Sequence, residues 1–100
     1  MKGDVDPAII AEIWGVIQER AKNPSHKSYT SSLLRDEKGI DKVLEKVGEE
    51  STEFIIAAKN GVDVRIVEEA SDLIFHLLVA LRAAGVELSD VMEELNRRRK

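Results

Sequence analysis

Two groups of acidic residues have the spacing of side chains that share one face of a helix. Glu49, Glu50 and Glu53 form the first group, and Glu69 and Asp72 form the second. Residues three or four positions apart lie on the same side of a helix. Carboxylates without thiols or paired histidines favour a hard cation, Mg²⁺ or alternatively Mn²⁺. Because Mg²⁺ shares its coordination with water and substrate phosphates, the expected chemistry is hydrolysis of a phosphate ester or anhydride.

Glu50 interrupts an apolar stripe. Val43, Val47, Glu50 and Phe54 follow one another at steps of four, three and four, so they form one line along a helix. A carboxylate without a partner in such a stripe costs several kcal/mol or takes up a proton. A positive charge is therefore expected near Glu50.

The two acidic groups lie at similar distances from a predicted turn at Gly61 and Val62. Glu53 is about eight residues before the turn, and the pair Glu69 and Asp72 begins about seven residues after it. In an antiparallel hairpin, the groups would face one another as a cage of four or five carboxylates. The alternative is a set of solvated glutamates in ordinary helical pairs. The matching heights and the interrupted stripe favour the cage.

His76 lies four residues after Asp72, on the line of the second acidic pair. It could be a metal ligand, but its neighbours Phe75 and Leu77 favour a core or interface histidine. A di-iron carboxylate bundle is disfavoured because it normally requires Glu-x-x-His pairs, which neither acidic group provides.

The apolar periodicity predicts four helices and an all-α fold. Asp6 and Pro7 have the pattern of a helix start, and Asn23–Pro24 ends that helix. The central helices are expected over about 38–59 and 63–84, with C-terminal glycines at 61 and 85, and Ser89 is expected to cap a short last helix. A strand over 62–67 is disfavoured by the Glu-Glu-Ala that follows. Residues 22–36 are expected to form a long loop, either functional or a flexible linker.

The two central helices should form an antiparallel hairpin with flanking helices, because a tight turn joins them. Both are apolar around more than half their circumference, especially over 73–84. Such helices need cover on several sides. We therefore expect a homodimer that pairs the central hairpins into a larger bundle.

Length and composition limit the other possibilities. One hundred residues predict a single domain over 1–100, and a net charge of −4 argues against a general nucleic-acid binder. The absence of cysteine excludes disulfides and thiolate sites. Without a long apolar run or a signal-peptide pattern, the expectation is a soluble, cytoplasmic protein that does not bind membranes.

Several segments together closely resemble the phosphoribosyl-ATP pyrophosphohydrolases of histidine biosynthesis. These segments are Lys-Val-Gly-Glu-Glu-Ser-Thr-Glu over 46–53, Glu-Ala-Ser-Asp-Leu-Ile-Phe-His-Leu-Leu over 69–78, Ser-Tyr-Thr over 28–30, and Gly39-Ile40. The family belongs to the MazG-like all-α nucleotide pyrophosphohydrolases, whose shared signature is E-x-x-E followed by E-x-x-D. The resemblance extends from the first helix to Arg98.

The resemblance implies Mg²⁺-dependent hydrolysis at the α–β phosphoanhydride of phosphoribosyl-ATP. The products would be phosphoribosyl-AMP and pyrophosphate, in the second step of histidine biosynthesis, and the enzyme would be a homodimer. The catalytic residues implied are Glu49, Glu50, Glu53, Glu69 and Asp72, with Glu50, Glu53, Glu69 and Asp72 as metal ligands. Their division of labour stays open. Many relatives carry the next enzyme of the pathway in the same chain; 100 residues leave no room for it, so a stand-alone hydrolase is expected.

Further residues are candidates for substrate binding. They are Lys46, Lys42, Arg20, Ser28, Tyr29, Thr30 and Arg98. Lys46 is the first choice for a phosphate because it lies one turn before Glu49 and Glu50 on the same side. The alternative for the basic residues is a solvated position on a helix, or for Arg98 a favourable interaction with the helix C-terminus.

Two other functions stay open at this point. One is a different MazG-like hydrolase, acting on non-canonical nucleoside triphosphates or dUTP, with the same acidic motif. The other is a non-catalytic dimeric helical adaptor, in which the acidic residues have no chemical role.

Overall fold

The computed structural model describes residues 3–99, and in this range the chain forms five helices and no strand. The helices are α1 (Ala8–Lys22), α2 (Tyr29–Leu34), α3 (Ile40–Asn60), α4 (Asp63–Ala83) and α5 (Leu88–Arg98). The prediction of an all-α chain is confirmed. Within residues 3–99, no helix combines the length and the apolar character needed to cross a membrane.

Helices α3 and α4 are the central pair, and each has 21 residues. Only Gly61 and Val62 separate them, and they make the most extensive contact of any two helices. Gly61 has a φ of 74° and ends α3 in the left-handed conformation, with its N–H bonded to the Ala57 carbonyl at 3.1 Å. A glycine adopts this φ without steric cost, which is why the chain turns here. Two helices that are joined by so short a turn and pack along one another have the geometry that an antiparallel hairpin requires.

The core lies where α1 and α2 cover one side of this central pair. Ile17 of α1, Val43 of α3 and Val79 of α4 have no exposed surface, and Leu33 of α2 packs into the same cluster. Leu88, at the start of α5, is the contribution of the last helix. Burial of apolar surface thus fixes α1 and α2 against α3 and α4.

Helix α2 corrects the prediction of an unstructured loop over 22–36. The Ser28 hydroxyl accepts a hydrogen bond from the Ser31 N–H at 3.1 Å and so caps this six-residue helix. The Ser31 hydroxyl in turn donates to the Arg20 carbonyl at 2.9 Å, which ties α2 to the end of α1. With Leu33 buried, residues 29–34 are not a flexible linker, whereas residues 23–28 and 35–36 lie outside any helix, as predicted. Six residues are too few for helical periodicity to be recognised in the sequence.

The predicted start of α1 and end of α4 agree with the structure, as does the Gly61 end of α3, but the predicted start of α5 does not. The Asp6 carboxylate accepts from the Ala8 N–H at 3.0 Å, at the start of α1. Gly85, with a φ of 73°, follows α4, and the Val86 N–H bonds the Leu81 carbonyl at 3.0 Å, as in a Schellman motif. The expected Ser89 cap is wrong: α5 begins at Leu88, whose buried side chain brings the helix start forward.

Helix α4 also carries an apolar line that residues 3–99 leave exposed. Val67, Ile74 and Leu77 are 63%, 46% and 49% exposed, respectively. Ile55 and Ile56 of α3 are exposed as well. The excess of apolar surface expected on the central helices is therefore present, and we refer to Val67, Ile74 and Leu77 as the α4 apolar line.

Candidate active site

Three carboxylates from the central pair converge on one point. Glu50 of α3 and Glu69 and Asp72 of α4 each offer an oxygen, and these oxygens lie within 4.8 Å of one another. Glu50 is 6% exposed and Glu69 is 4% exposed, whereas Asp72 is exposed. We call these three residues the acidic cluster. It has a buried floor and one solvent-facing member.

The cluster forms because the two acidic motifs occupy equivalent heights on α3 and α4. Glu50 lies ten residues before Asn60, and Asp72 lies ten residues after Val62. Helices that run in opposite directions from the turn bring such positions side by side. The interruption of the apolar stripe at Glu50 is therefore located at the contact between the two helices.

The environment of Glu50 favours its protonated form. Burial raises the pKa of Glu50 to about 7, and a hydrogen bond with Glu53 and the charges of Glu53 and Asp72 act in the same direction. Lys46 opposes this effect and lowers the pKa. Without a cation, the cluster thus reduces its repulsion by holding a proton on Glu50 near neutral pH.

The charge of the Glu69 carboxylate is only partly compensated within the described residues. Its Oε2 atom forms an ion pair with Arg65, one turn earlier on α4. Its Oε1 atom is buried and makes no hydrogen bond to any residue that the structure describes. A buried carboxylate oxygen without a donor carries a large desolvation penalty. This oxygen can therefore accept a hydrogen bond or coordinate a cation.

A hard divalent cation fits this arrangement. Mg²⁺ or Mn²⁺ is held by carboxylate oxygens and keeps further positions for water and phosphate. Glu50, Glu69 and Asp72 supply such oxygens, and the orphaned Oε1 atom of Glu69 belongs to this group. A cation there would satisfy that oxygen and favour the ionised form of Glu50.

The other two predicted carboxylates lie beside the acidic cluster rather than in it. The exposed Glu53 lies next to Glu50 and helps to raise the pKa of Glu50. Glu49 is exposed and pairs with Lys46, the two charged atoms lying 3.2 Å apart. Of the four predicted metal ligands, the structure brings three together and places Glu53 next to one of them.

Tyr29 and Lys46 form the neighbouring wall of the site. The Tyr29 hydroxyl is 2.8 Å from His76 Nε2, and its ring stacks with Phe75 at a centroid distance of 6.3 Å. Burial raises the pKa of Tyr29, as do the charges of Glu50, Glu49 and Asp72, and Lys46 acts in the opposite direction. Helix α2 therefore delivers Tyr29 to the edge of the acidic cluster.

Both ring nitrogens of His76 are engaged within the protein. Nδ1 lies 2.7 Å from the Asp72 carbonyl oxygen, and Nε2 lies 2.8 Å from the Tyr29 hydroxyl. The side chain is buried. The structure thus agrees with the interpretation of His76 as a core histidine and leaves neither nitrogen available to a metal.

The remaining predicted substrate contacts are less close to this site. Ser28 uses its hydroxyl as the α2 cap, and Thr30 is buried. Lys42 is half-buried on α3, one turn before Lys46. Arg20 pairs with Glu19, and Arg98 bonds Glu94 on α5. Within residues 3–99, no hydrogen bond or ion pair joins Arg20 or Arg98 to the acidic cluster.

Two features of the site were missed in the sequence. Arg65 lies four residues before Glu69, a helical spacing that could have indicated the ion pair. The contact between Tyr29 and His76 joins residues 47 positions apart and has no signal in local periodicity.

Comparison with known proteins identifies the family. The family model for phosphoribosyl-ATP pyrophosphohydrolase matches residues 10–99. A phosphoribosyl-ATP pyrophosphatase of Methanoregula boonei is 69% identical over 99 residues, covering 99% of this chain and 95% of the relative. The proteins of the same name from Methanoculleus marisnigri and Clostridium novyi are 63% and 47% identical. Each of these two alignments covers 92% of this chain, with 95% and 82% of the respective relative. The chain belongs to the phosphoribosyl-ATP pyrophosphohydrolase family.

Proposed function

We propose that this protein hydrolyses phosphoribosyl-ATP to phosphoribosyl-AMP and pyrophosphate, with Mg²⁺, in the second step of histidine biosynthesis. The observation that carries the proposal is the orphaned oxygen of Glu69 inside a three-carboxylate cluster, in a chain of this family. A cluster of three carboxylates that opens to solvent through Asp72 suits a divalent cation shared with a substrate rich in phosphate oxygens.

Glu50, Glu69 and Asp72 hold the divalent cation in this proposal. When bound, the cation neutralises phosphate charge and lowers the pKa of a coordinated water. Arg65 keeps one oxygen of Glu69 paired, so that the other oxygen is directed to the cluster. Mn²⁺ has the same ligand preference and is the alternative cation.

Glu53 is the proposed general base. It is exposed and next to Glu50, whereas Glu49 is already paired with Lys46. In the reaction, the oxygen of water forms a bond to phosphorus and the α–β bridging P–O bond breaks. Pyrophosphate leaves, and the proton of the water passes to the carboxylate.

Lys46 and Tyr29 are the proposed substrate contacts nearest to the acidic cluster. The half-buried Lys46 combines a positive charge with proximity to Glu50 and Tyr29. Its ammonium can pair with a phosphate oxygen. Contributions of Ser28, Thr30, Lys42, Arg20 and Arg98 are secondary in this proposal, because their side chains are buried, used as a cap, paired elsewhere, or not linked to the cluster.

We also propose that the single domain is a MazG-like antiparallel hairpin with flanking helices and that two copies form a homodimer. The support is the α4 apolar line, which α1, α2 and α3 leave exposed. Exposed apolar side chains aligned along one helix are typical of an interaction surface. A second copy with the same face provides self-complementary cover.

The first test of the proposed function is a substrate panel with Mg²⁺. We expect kcat/KM for phosphoribosyl-ATP to exceed that for dUTP, dCTP and other nucleoside triphosphates by more than about 100-fold, measured by pyrophosphate release. A preference of similar size for dUTP or dCTP would instead assign the protein to a different MazG-like activity. Absence of turnover with every nucleotide would favour the adaptor.

Removing a charge from the acidic cluster should abolish activity while the fold persists. For Glu50→Gln, Glu69→Gln and Asp72→Asn we expect losses in kcat/KM of more than about 100-fold, because each removes a cation ligand. Isothermal titration should show weaker Mg²⁺ binding, and circular dichroism should show unchanged helicity.

The matched control for these variants is Glu45→Gln. Glu45 is an exposed glutamate on the same helix, paired with Lys38 outside the cluster, and its loss should leave turnover and Mg²⁺ affinity near those of the wild type. If neither Mg²⁺ nor Mn²⁺ binds the wild type, with or without nucleotide, the proposal of a metal site is wrong.

The raised pKa of Glu50 predicts a pH-dependent stability in the metal-free protein. Between 4.5 and about 7, the folded state keeps a proton on Glu50 that the unfolded state has released. The free energy of unfolding should therefore fall as pH rises through this window, by up to about 3 kcal/mol. Urea denaturation of the wild type and of Glu50→Gln measures this: the pH dependence of the two proteins should differ only across that window, and the offset gained there should persist at higher pH. Identical pH profiles would contradict the assignment.

Disruption of the α4 apolar line should dissociate the proposed dimer. Leu77→Lys places a charge on this surface, and sedimentation velocity should then show a monomer. Val5→Lys, at an exposed position before α1, is the control and should remain dimeric. A monomeric wild type, or a dimer unaffected by Leu77→Lys, would show that this surface is not the interface.

A further inference from the structure

Helix α2 and helix α4 are joined through His76 at the edge of the acidic cluster. The ring is buried, with Nδ1 2.7 Å from the Asp72 carbonyl oxygen and Nε2 2.8 Å from the Tyr29 hydroxyl. Asp72 contributes its carboxylate to the cluster and its backbone carbonyl to His76. One residue of the cluster is thus connected to Tyr29 through a single imidazole.

The two contacts fix the direction of both hydrogen bonds. A carbonyl oxygen can only accept, so Nδ1 carries the proton that is donated to Asp72. In the neutral imidazole, Nε2 is then an acceptor, and the Tyr29 hydroxyl must donate to it. The single proton of Tyr29 is therefore used inside the protein.

The ring of Tyr29 is held from two further directions. It stacks with Phe75, and it meets the His76 ring edge-on with centroids 5.7 Å apart. About half of the Tyr29 side chain is nevertheless exposed. Its oxygen remains near Lys46, Glu50 and Asp72, which affect its ionisation. The exposed part of Tyr29 consequently has a fixed orientation beside the cluster.

We infer that His76 is a positioning residue that holds the Tyr29 hydroxyl against α4 and orients its oxygen as a hydrogen-bond acceptor toward the substrate. The inference rests on the proposed function, in which Tyr29 contacts the substrate. It has a chemical consequence. Tyr29 accepts a hydrogen bond from a hydroxyl or amine group of the substrate and does not donate one to a phosphate. His76 itself acts through Tyr29 and contacts neither the substrate nor the cation.

Two conservative variants separate the two contacts of His76. In His76→Asn the amide lies near the position of Nδ1 and can keep the bond to the Asp72 carbonyl, but it does not reach Tyr29. In His76→Gln the longer side chain lies near the position of Nε2 and can keep an acceptor for Tyr29. Tyr29→Phe removes the same hydrogen bond from the other side.

The expected pattern is that of one shared interaction. His76→Asn and Tyr29→Phe should each raise KM for phosphoribosyl-ATP by roughly 3- to 10-fold, the range for loss of one hydrogen bond, with little change in kcat. The double variant should be no worse than either single variant, and His76→Gln should recover most of the loss. Multiplicative effects in the double variant, or equal losses in His76→Gln and His76→Asn, would overturn the inference. A purely structural role would lower the urea midpoint without changing KM of the folded protein.

A second measurement needs no substrate or metal. Nitrogen-15 NMR of the His76 ring in the metal-free wild type should show a protonated Nδ1 and an unprotonated Nε2, with the Nε2 signal shifting in Tyr29→Phe. A protonated Nε2, or a signal unaffected by Tyr29→Phe, would refute the proposed hydrogen bond even if the His76 variants failed to fold. If the wild type does not hydrolyse phosphoribosyl-ATP, the proposed function fails, and the NMR result still decides how His76 holds Tyr29.

Discussion

The structure is organised around two carboxylates buried at the contact between α3 and α4. Glu50 and Glu69 occupy positions that apolar side chains would fill in an ordinary helical hairpin. Removing a carboxylate from water costs several kcal/mol unless a partner compensates it. Here the compensation within the described chain is incomplete: Arg65 reaches one oxygen of Glu69, and Glu50 takes up a proton. In the proposed function, a divalent cation completes this compensation, and the contact between α3 and α4 gives up local stability to form a binding site.

This constraint explains how the apolar residues are distributed. The acidic cluster occupies part of the contact between the central helices, so the core must form on the side where α1 and α2 pack. Ile17 and Leu33 supply that core together with Val43 and Val79. The same packing brings Tyr29 to the cluster, because Tyr29 and Leu33 lie one turn apart on α2. The packing of α2 thus completes the core and places Tyr29 at the site.

The sequence predicts those parts that depend on local spacing. The helices over 40–60 and 63–83 follow from apolar periodicity and from glycines at their ends, and Glu50 was recognised because it interrupts a stripe. The features that the sequence did not predict depend on contacts between distant segments. Helix α2 is stable because of Leu33 and Ser31, and the partner of Tyr29 is 47 positions away. Helix α5 begins at Leu88 rather than after Ser89, because the Leu88 side chain is buried. A capping pattern at Ser89 gives no information about that burial.

The brevity of α2 has a consequence for the lifetime of the site. A helix of six residues does not persist by itself in water, so α2 depends on its few anchors: Leu33, the Ser31 bond to Arg20, and the Tyr29 bond to His76. We therefore expect its opening free energy to be lower than that of α3 and α4, so that its amide protons exchange with solvent while α3 and α4 stay folded. On this expectation the acidic cluster stays formed while α2, which carries Tyr29, opens locally. A ligand that contacts both parts joins them into one cooperative unit, and slower hydrogen exchange in α2 would report its arrival.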